Sequence, residues 1–326
     1  MLNEIMQSEE LRERRLVDLY EEGILELGDE VPYTHREETY VSLKEKNGDR
    51  GQGFFTKSLE MKWQAIGVES IDGNKCLKLI AKEPVFDFEL QKAEGCVYGI
   101  DEMHRICSLF ATGAGALKGR SITIEDVNQL LDVIVDEKQR IIYQKGYKKK
   151  IGNKTFLKEY FLDKEFYTPE SYLEGKQVRE KIIKTFYFYR KDSIKGKEYK
   201  KDIVFKDIPY WLASSRAFVD IKYGYAYFGP GYVGEGYVNA GGTYLFYSSG
   251  RCGAGKNAIR PILYLKSNET INSLLNGKKD KTSKVRDPFL SKNEVTKLEV
   301  KNLLKQLEEK RQEEEEIIRK IKELIK

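Results

Sequence analysis

The stretch Tyr210–Lys266, YWLASSRAFVDIKYGYAYFGPGYVGEGYVNAGGTYLFYSSGRCGAGKNAIRPILYLK, decides how this chain reads. Here the composition turns from lysine-rich and charged to tyrosine, glycine and short apolar runs. Tyr223, Tyr225 and Tyr227 alternate with Gly224 and Ala226, so an extended backbone would set three phenol rings on one face. Tyr232, Tyr237, Tyr244 and Tyr247 follow, separated by the turn signals Gly229-Pro230-Gly231, Gly234-Glu235-Gly236 and Gly241-Gly242. Tyrosine gives large amphipathic contact area at low rotamer entropy, and Gly, Ser and Asn add adaptable backbone and hydrogen bonds, which is the chemistry of a paratope. The stretch therefore reads as short strands carrying exposed, glycine-flanked tyrosines, and so as a binding module.

Outward from it, the rest of the chain sets bounds. A length of 326 residues suffices for one large or two ordinary domains with buried cores. The net charge of +5 is the small remainder of 57 basic and 52 acidic residues, which are interleaved, so no strong positive field is expected and nucleic acid is not the expected partner. No apolar run is long enough to span a bilayer, and the first residues, MLNEIMQSEELRERR, are charged where a secretory signal is greasy. No membrane insertion and a cytoplasmic or virion-associated location are therefore expected. Cys76, Cys96, Cys107 and Cys252 are widely spaced without a CxxC pair, which reads as four reduced thiols.

In chain order, residues 2–27 have helical spacing, ended by Gly28-Asp29 and Pro32, and serve either as a helix packed on the next domain or as an attachment arm. Met61, Trp63 and Ala65 alternate with polar neighbours, Ile71-Asp72-Gly73-Asn74 is a hairpin turn, and Leu77, Leu79 and Ala81 alternate back. The sequence NGDRGQG over 47–53 lacks the carboxylates of a calcium loop and reads as a plain turn. Ile100, Met103, Ile106, Cys107 and Phe110 mark a helix, followed by a glycine-rich loop, ATGAGALKGRS. Thr123 with Asp126 makes a helix-capping pair ahead of the apolar stripe Val127, Leu130, Leu131 and Ile134. Residues 137–208 are lysine-rich and sprinkled with aromatics, without a clear period. Such a mixture suits single-stranded nucleic acid, but Glu159, Asp163, Glu165, Glu170 and Glu174 dilute the field and favour a surface insertion. After Lys266 comes a polar linker, and in 291–326 Val300, Leu303, Leu307, Ile317, Ile321 and Leu324 fall at heptad spacing, interrupted by Lys310 and Glu314.

No catalytic constellation stands out. Residues 250–257, GRCGAGKN, nearly spell a phosphate-binding loop, but Asn257 has no hydroxyl for magnesium and AIRPILYL reads as a strand, so the segment is a hairpin tip. Asp101, His104 and Cys107 share a helix face, which alone does not close a tetrahedral metal site. There is no GxSxG elbow, and neither His35 nor His104 has a sequence reason to lie beside Cys252. No catalytic residues, no metal and no cofactor are expected.

Several segments carry a resemblance. Tyr210-Trp211-Leu212-Ala213-Ser214-Ser215-Arg216, Tyr227-Phe228-Gly229, Tyr232-Val233, Leu245-Phe246-Tyr247-Ser248 and Ile259-Arg260-Pro261-Ile262-Leu263 resemble a family of uncharacterised bacterial and phage proteins. There, a YWLASR strand precedes a variable Tyr/Asn/Ser/Gly stretch closed by a VRPVVSL strand. Trp63 to Val68, Leu77 to Ile80, Ile106-Cys107-Ser108, Arg120-Ser121-Ile122 and Glu125-Asp126-Val127-Asn128 are similar to its upstream segments, so the likeness spans about residues 28–268. The closing half of that family looks like the C-type-lectin-like fold used by variable proteins of diversity-generating retroelements and by the formylglycine-generating enzyme. The resemblance implies a scaffold that displays changeable ligand-binding residues: Tyr223, Tyr225, Tyr227, Tyr232, Glu235, Tyr237, Asn239, Tyr244 and Tyr247. Trp211, Arg216, Arg260 and Pro261 would be framework. The doubled Ser214-Ser215 and the long insertion before Tyr210 depart from the pattern. No EPN or WND calcium triplet is present, nor are the oxidase's paired cysteines.

The expectation is thus an α+β protein: an N-terminal helix over 1–28, a C-type-lectin-like domain over 29–268 with short antiparallel strands and an insertion at 137–208, a linker over 269–290, and a C-terminal helix, a candidate coiled coil, over 291–326. Its expected role is non-enzymatic recognition of a protein or glycan ligand on a phage or cell surface, with the C-terminal helix joining copies into a homo-oligomer. The alternative is a structural virion or assembly protein that uses the tyrosine-rich surface as a fixed subunit interface.

Overall fold

The chain turns a corner twice at the same place, and that corner organises the architecture. The computed structural model describes residues 2–35, 40–42, 53–55, 61–133, 141–143, 157–161, 165–179, 181–185, 189–194, 198–220, 225–239 and 245–276. In chain order the elements are α1 (Leu2–Gln7), α2 (Glu9–Glu13), α3 (Leu16–Glu21), β1 (Glu30–Val31), β2 (Tyr40–Ser42), β3 (Gly53–Phe55), β4 (Trp63–Ile71), β5 (Asn74–Ala81) and β6 (Val85–Gln91). Then come α4 (Lys92–Val97), α5 (Gly99–Ser108), β7 (Ala116–Ser121), α6 (Ile124–Leu130), β8 (Ile141–Tyr143), β9 (Leu157–Phe161), α7 (Pro169–Leu173), β10 (Lys181–Thr185), β11 (Tyr189–Arg190) and α8 (Glu198–Val204). Last are β12 (Tyr210–Asp220), β13 (Tyr225–Gly234), β14 (Tyr237–Asn239), β15 (Phe246–Tyr247), β16 (Ala254–Ile259), β17 (Pro261–Leu265) and α9 (Ile271–Leu275).

Two larger sheets carry the fold. One is antiparallel throughout, in the order β1-β4-β5-β17-β7. The other runs β11-β14-β13-β12-β16-β6, with β15 on β13; its contacts are antiparallel apart from β12 on β16. The chain crosses between the sheets at Lys82–Pro84, from β5 to β6, and again at Arg260 alone, from β16 to β17. The architecture is therefore mixed α+β with mainly antiparallel sheets.

Local chemistry explains the surest parts. The β4–β5 hairpin turns on Asp72 and Gly73, at φ 51° and 80°, the pair of positive angles that a two-residue turn matching strand twist requires. Leu77 and Leu79 face one core cluster with Trp63, Phe88 and Trp211, whereas Cys76 and Ile80 face a second with Ile122, Val127 and Tyr210. β5 and β17 are buried on both faces because helices cover both: α3 and α5 contribute to the first cluster, α6 and α8 to the second. The N-terminal residues join the first cluster through Ile5, Leu16, Leu19 and Leu25. They form three short helices rather than one, and of the two roles weighed for them they take the packed one.

Two readings from the sequence change. The polar run after Lys266 is not a linker from its start: Thr270 caps α9, whose Ile271 and Leu274 are buried in the first cluster, and Leu16 N–H donates to Glu269 O at 2.8 Å. The turn expected at Gly229-Pro230-Gly231 lies inside β13. Opposite it β12 bulges by two residues, Ala213 and Ser214, between Leu212, paired to Gly231, and Ser215, paired to Pro230. A proline with no N–H is tolerated in a sheet at such a bulge. The bulge also ties the sheets together, because Ala213 N–H donates to Ile122 O at 2.8 Å and Ile124 N–H to Ser214 Oγ at 2.9 Å.

The 137–208 region is more than a surface insertion, since Phe166 and the α8 residues Ile203 and Val204 are buried. All described residues fall in one unit, Met1–Thr282; the heptads of 291–326 lie outside the described residues, as does most of the 47–53 turn. Among the described residues no helix is long and apolar enough to cross a membrane.

Candidate functional site

The β12–β13 pair carries most of the described tyrosine-rich stretch. Trp211, fully buried on β12, donates from Nε1 to Phe88 O at 2.8 Å. Tyr232 packs between the rings of Trp211 and Tyr237, at centroid distances of 6.2 and 6.0 Å, both edge-on. It is only 8% exposed, as is Tyr227. These two were expected on the display face and instead belong to the interior. Every residue from Ala226 to Gly234 is buried, so glycine neighbours did not mean exposure.

Tyr237 and Tyr247 are half-buried and Glu235 is exposed. Glu235 and Gly236 form the tight turn between β13 and β14, with Gly236 at φ +75°. Gly234 is needed there because an added Cβ would stand 2.7 Å from the Tyr237 ring. Tyr225 pairs by its backbone with Asp220, and Asn239 with Tyr232. Tyr223 and Tyr244 lie outside the described residues.

An exposed aromatic patch forms at the 245–253 hairpin. Tyr247 N–H donates to Arg251 O at 2.9 Å and Gly250 N–H to Tyr247 O at 2.8 Å, with Phe246 bridged to Cys252. Of residues 250–257, expected as a hairpin tip in place of a phosphate loop, 250–253 belong to this turn, whereas 254–257 run in β16 against β6. The Arg251 guanidinium, exposed, stands 5.5 Å from the centre of the Tyr247 ring, which in turn packs on Tyr227 at 4.9 Å. From a distant part of the chain, α7 brings Tyr172 to within 5.0 Å of the Phe246 ring and 5.4 Å of Tyr167, leaving Tyr172 38% and Leu173 37% exposed. Tyr167 N–H donates to Ser248 O at 3.0 Å, and Ser248 Oγ accepts from Ala226 N–H at 2.8 Å. The patch is thus hydrogen-bonded to β13.

Tyr167, Tyr172, Leu173 and Arg251 were not among the sequence candidates. A local signal existed: Thr168, Pro169 and Ser171 are an N-cap, a proline at the first helical position and a capping-box partner. That signal fixes α7 but not where it docks.

The most polar interior feature lies elsewhere. Lys78, Arg120 and Tyr264 stand on adjacent strands of the five-stranded sheet, and α6 sets Asp126 over them. Asp126 accepts from Arg120 through both oxygens at 2.6 and 2.7 Å, ion-pairs with Lys78 at 2.7 Å and accepts from Thr123 N–H at 2.8 Å. The capping pair is confirmed, and the same carboxylate pairs with both the buried Lys78, which also meets Glu69, and the half-buried Arg120. Burial alone would raise its pKa, but the hydrogen bonds and charge of Arg120, then Lys78, outweigh it and hold the group well below the usual range. His104, whose Nδ1 accepts from Ser121 N–H, is pushed down to about 4 by burial and the charge of Arg120. Burial pushes the Cys107 thiol upward. The Asp101, His104 and Cys107 face is thus helix meeting core. Among the described residues no group of three or more His, Cys, Asp or Glu is placed to hold a metal ion.

Comparison with family models, with curated proteins and with solved structures gave no match.

Proposed function

We propose that this protein is a non-enzymatic recognition protein whose contact surface is built on the 245–253 hairpin, from Tyr172, Leu173, Tyr247 and Arg251. The single observation that carries this is one hydrogen-bonded hairpin on which Tyr172, from a distant segment and 38% exposed, packs on Phe246, and exposed Arg251 packs on half-buried Tyr247. Tyr and Arg in rigid, partly desolvated settings dominate binding hot spots. The ligand is a protein or glycan, met on a phage or cell surface, and the display principle is C-type-lectin-like: short strands hold long, exchangeable surface segments. Heptads in 291–326 would join copies and raise weak single-site affinity by effective concentration.

A fixed subunit interface is the second reading, favoured by the burial of Tyr227 and Tyr232, which leaves less of the 223–247 stretch free to vary. Light scattering after size exclusion separates the two. For a recognition surface, the wild type and the triple variant Tyr172→Ser, Tyr247→Ser, Arg251→Ser have the same mass and similar melting. An assembly that the variant dissolves would establish the interface instead.

A further inference from the structure

A second concave site, apart from the aromatic patch, lies between the N-terminal segment, the start of β4 and α8. It is a cleft of about 780 Å³, within the range of small-molecule sites. Its walls include Tyr20, Leu25, Gln64, Lys82, Tyr199 and Lys206.

The cleft is electrostatically mixed. Arg260 lies directly behind it, fully buried, and donates to the carbonyls of Lys82 and Ile203, which line the cleft. Its partners are carbonyls and the Tyr210 hydroxyl, with no carboxylate among the described residues. Lys206 is paired with Glu83 at 3.4 Å, yet burial and then the Arg260 charge hold its pKa below the ordinary lysine value. Against these cations stand Glu26, Asp29 and Asp202. Asp29 is used by the Glu26 N–H at 2.8 Å and Asp202 by Lys191 at 3.2 Å, whereas the Glu26 carboxylate has no ion-pair partner among the described residues. Gln64 donates from Nε2 to Gly28 O at 2.8 Å, but its buried Oε1 has no hydrogen-bond partner.

Lys82 is paired with Glu30 at 2.5 Å. A purely anionic ligand would meet three carboxylates here, and a purely cationic one Lys206 and the field of Arg260. A molecule carrying both charges meets neither penalty. We propose that the cleft binds a small zwitterion, a free amino acid or short peptide: its carboxylate at Lys206, its ammonium at the Glu26 carboxylate, and its carbon body against Tyr20 and Tyr199.

The test uses the full chain with the standard L-amino acids and their dipeptides as probes, read by thermal shift and by saturation-transfer NMR. At least one probe is expected to raise the melting temperature. Its N-acetyl derivative, lacking the cation, and its amide, lacking the anion, should each bind roughly tenfold more weakly or worse. Lys206→Gln should weaken the parent probe similarly, whereas Tyr247→Ser should leave its binding unchanged. The proposal is overturned if no zwitterion binds, if blocked derivatives bind as well as the parent, or if Lys206→Gln has no effect. The blocked derivatives keep the test independent of how well the variant folds.

Discussion

Replacing Asp126 by Ala is expected to remove about 3–5 kcal/mol of folding stability, because it strands the buried Lys78 and the half-buried Arg120 rather than one exposed pair. Lys78 is 4% exposed, and the Arg120 side chain 15%. Without the carboxylate, Arg120 keeps the Tyr264 hydroxyl at 2.7 Å, and Lys78 keeps Glu69 at 2.9 Å, a group 41% exposed and screened by solvent. The Asp126 half of the capping box at the start of α6, its acceptance from Thr123 N–H, goes as well. Against a usual total of about 5–15 kcal/mol this is a large fraction, and the midpoint of urea unfolding at neutral pH measures it. A midpoint within error of the wild type would show that the network is idle.

The same group sets the acid limb. The folded pKa of Asp126 lies below its unfolded value, so its contribution is complete above the ordinary aspartate range of about 4 and is lost as pH falls below it. His104 acts at higher pH. Its folded pKa of about 4 lies below 6.5, so between those values the unfolded chain takes up the proton first and stability falls on acidification. Wild-type stability should therefore decline in two stages, from 6.5 to about 4 through His104 and below that through Asp126. In Asp126→Ala the lower stage should shrink.

Arg260→Ala carries the second large expectation, a loss of about 4 kcal/mol or more from several orphaned carbonyls and a cavity. The guanidinium donates from Nε to Ala81 O at 2.9 Å, from Nη1 to Ile203 O at 2.6 Å and from Nη2 to Lys82 O at 3.1 Å, and stands 5.2 Å from the Tyr210 ring centre. Ile203 is in the last turn of α8, where free carbonyls favour a cation. One side chain thus fastens both sheet crossings and the end of a helix. Arg260→Lys should recover little, since a single ammonium cannot reproduce a planar fork aimed at three acceptors. Hydrogen exchange across 198–206 should quicken in both variants, and protection equal to the wild type would contradict this role.

What the sequence disclosed was local, and what it hid was long-range. The 63–81 hairpin was legible because alternation and the Asp72-Gly73 turn agree. So was α6, because Thr123 and Asp126 lie three residues apart. Nothing local in Gly229-Pro230-Gly231 distinguishes a turn from a strand facing a bulge, since the bulge belongs to Ala213 and Ser214 on another strand. Tyr232 looked exposed because the ring that covers it, Trp211, comes from the neighbouring strand. Tyr172 went unnoticed because its value as a contact residue depends on Phe246. Lys78, between Leu77 and Leu79, gives no local sign of its burial, because the carboxylate that pairs with it comes from α6. Arg260 was expected as framework only through the resemblance; its long-range carbonyl partners, Ala81, Lys82 and Ile203, are what no local pattern shows.

Ligand selection addresses recognition most directly. Immobilised full-length protein is screened against a random-peptide display library and a glycan array, with the Tyr172→Ser, Tyr247→Ser, Arg251→Ser variant as counter-screen and melting curves confirming that both proteins are folded. A recognition surface yields ligands held by the wild type and released by the variant. Ligands that bind both proteins equally, or none from either source, would contradict it.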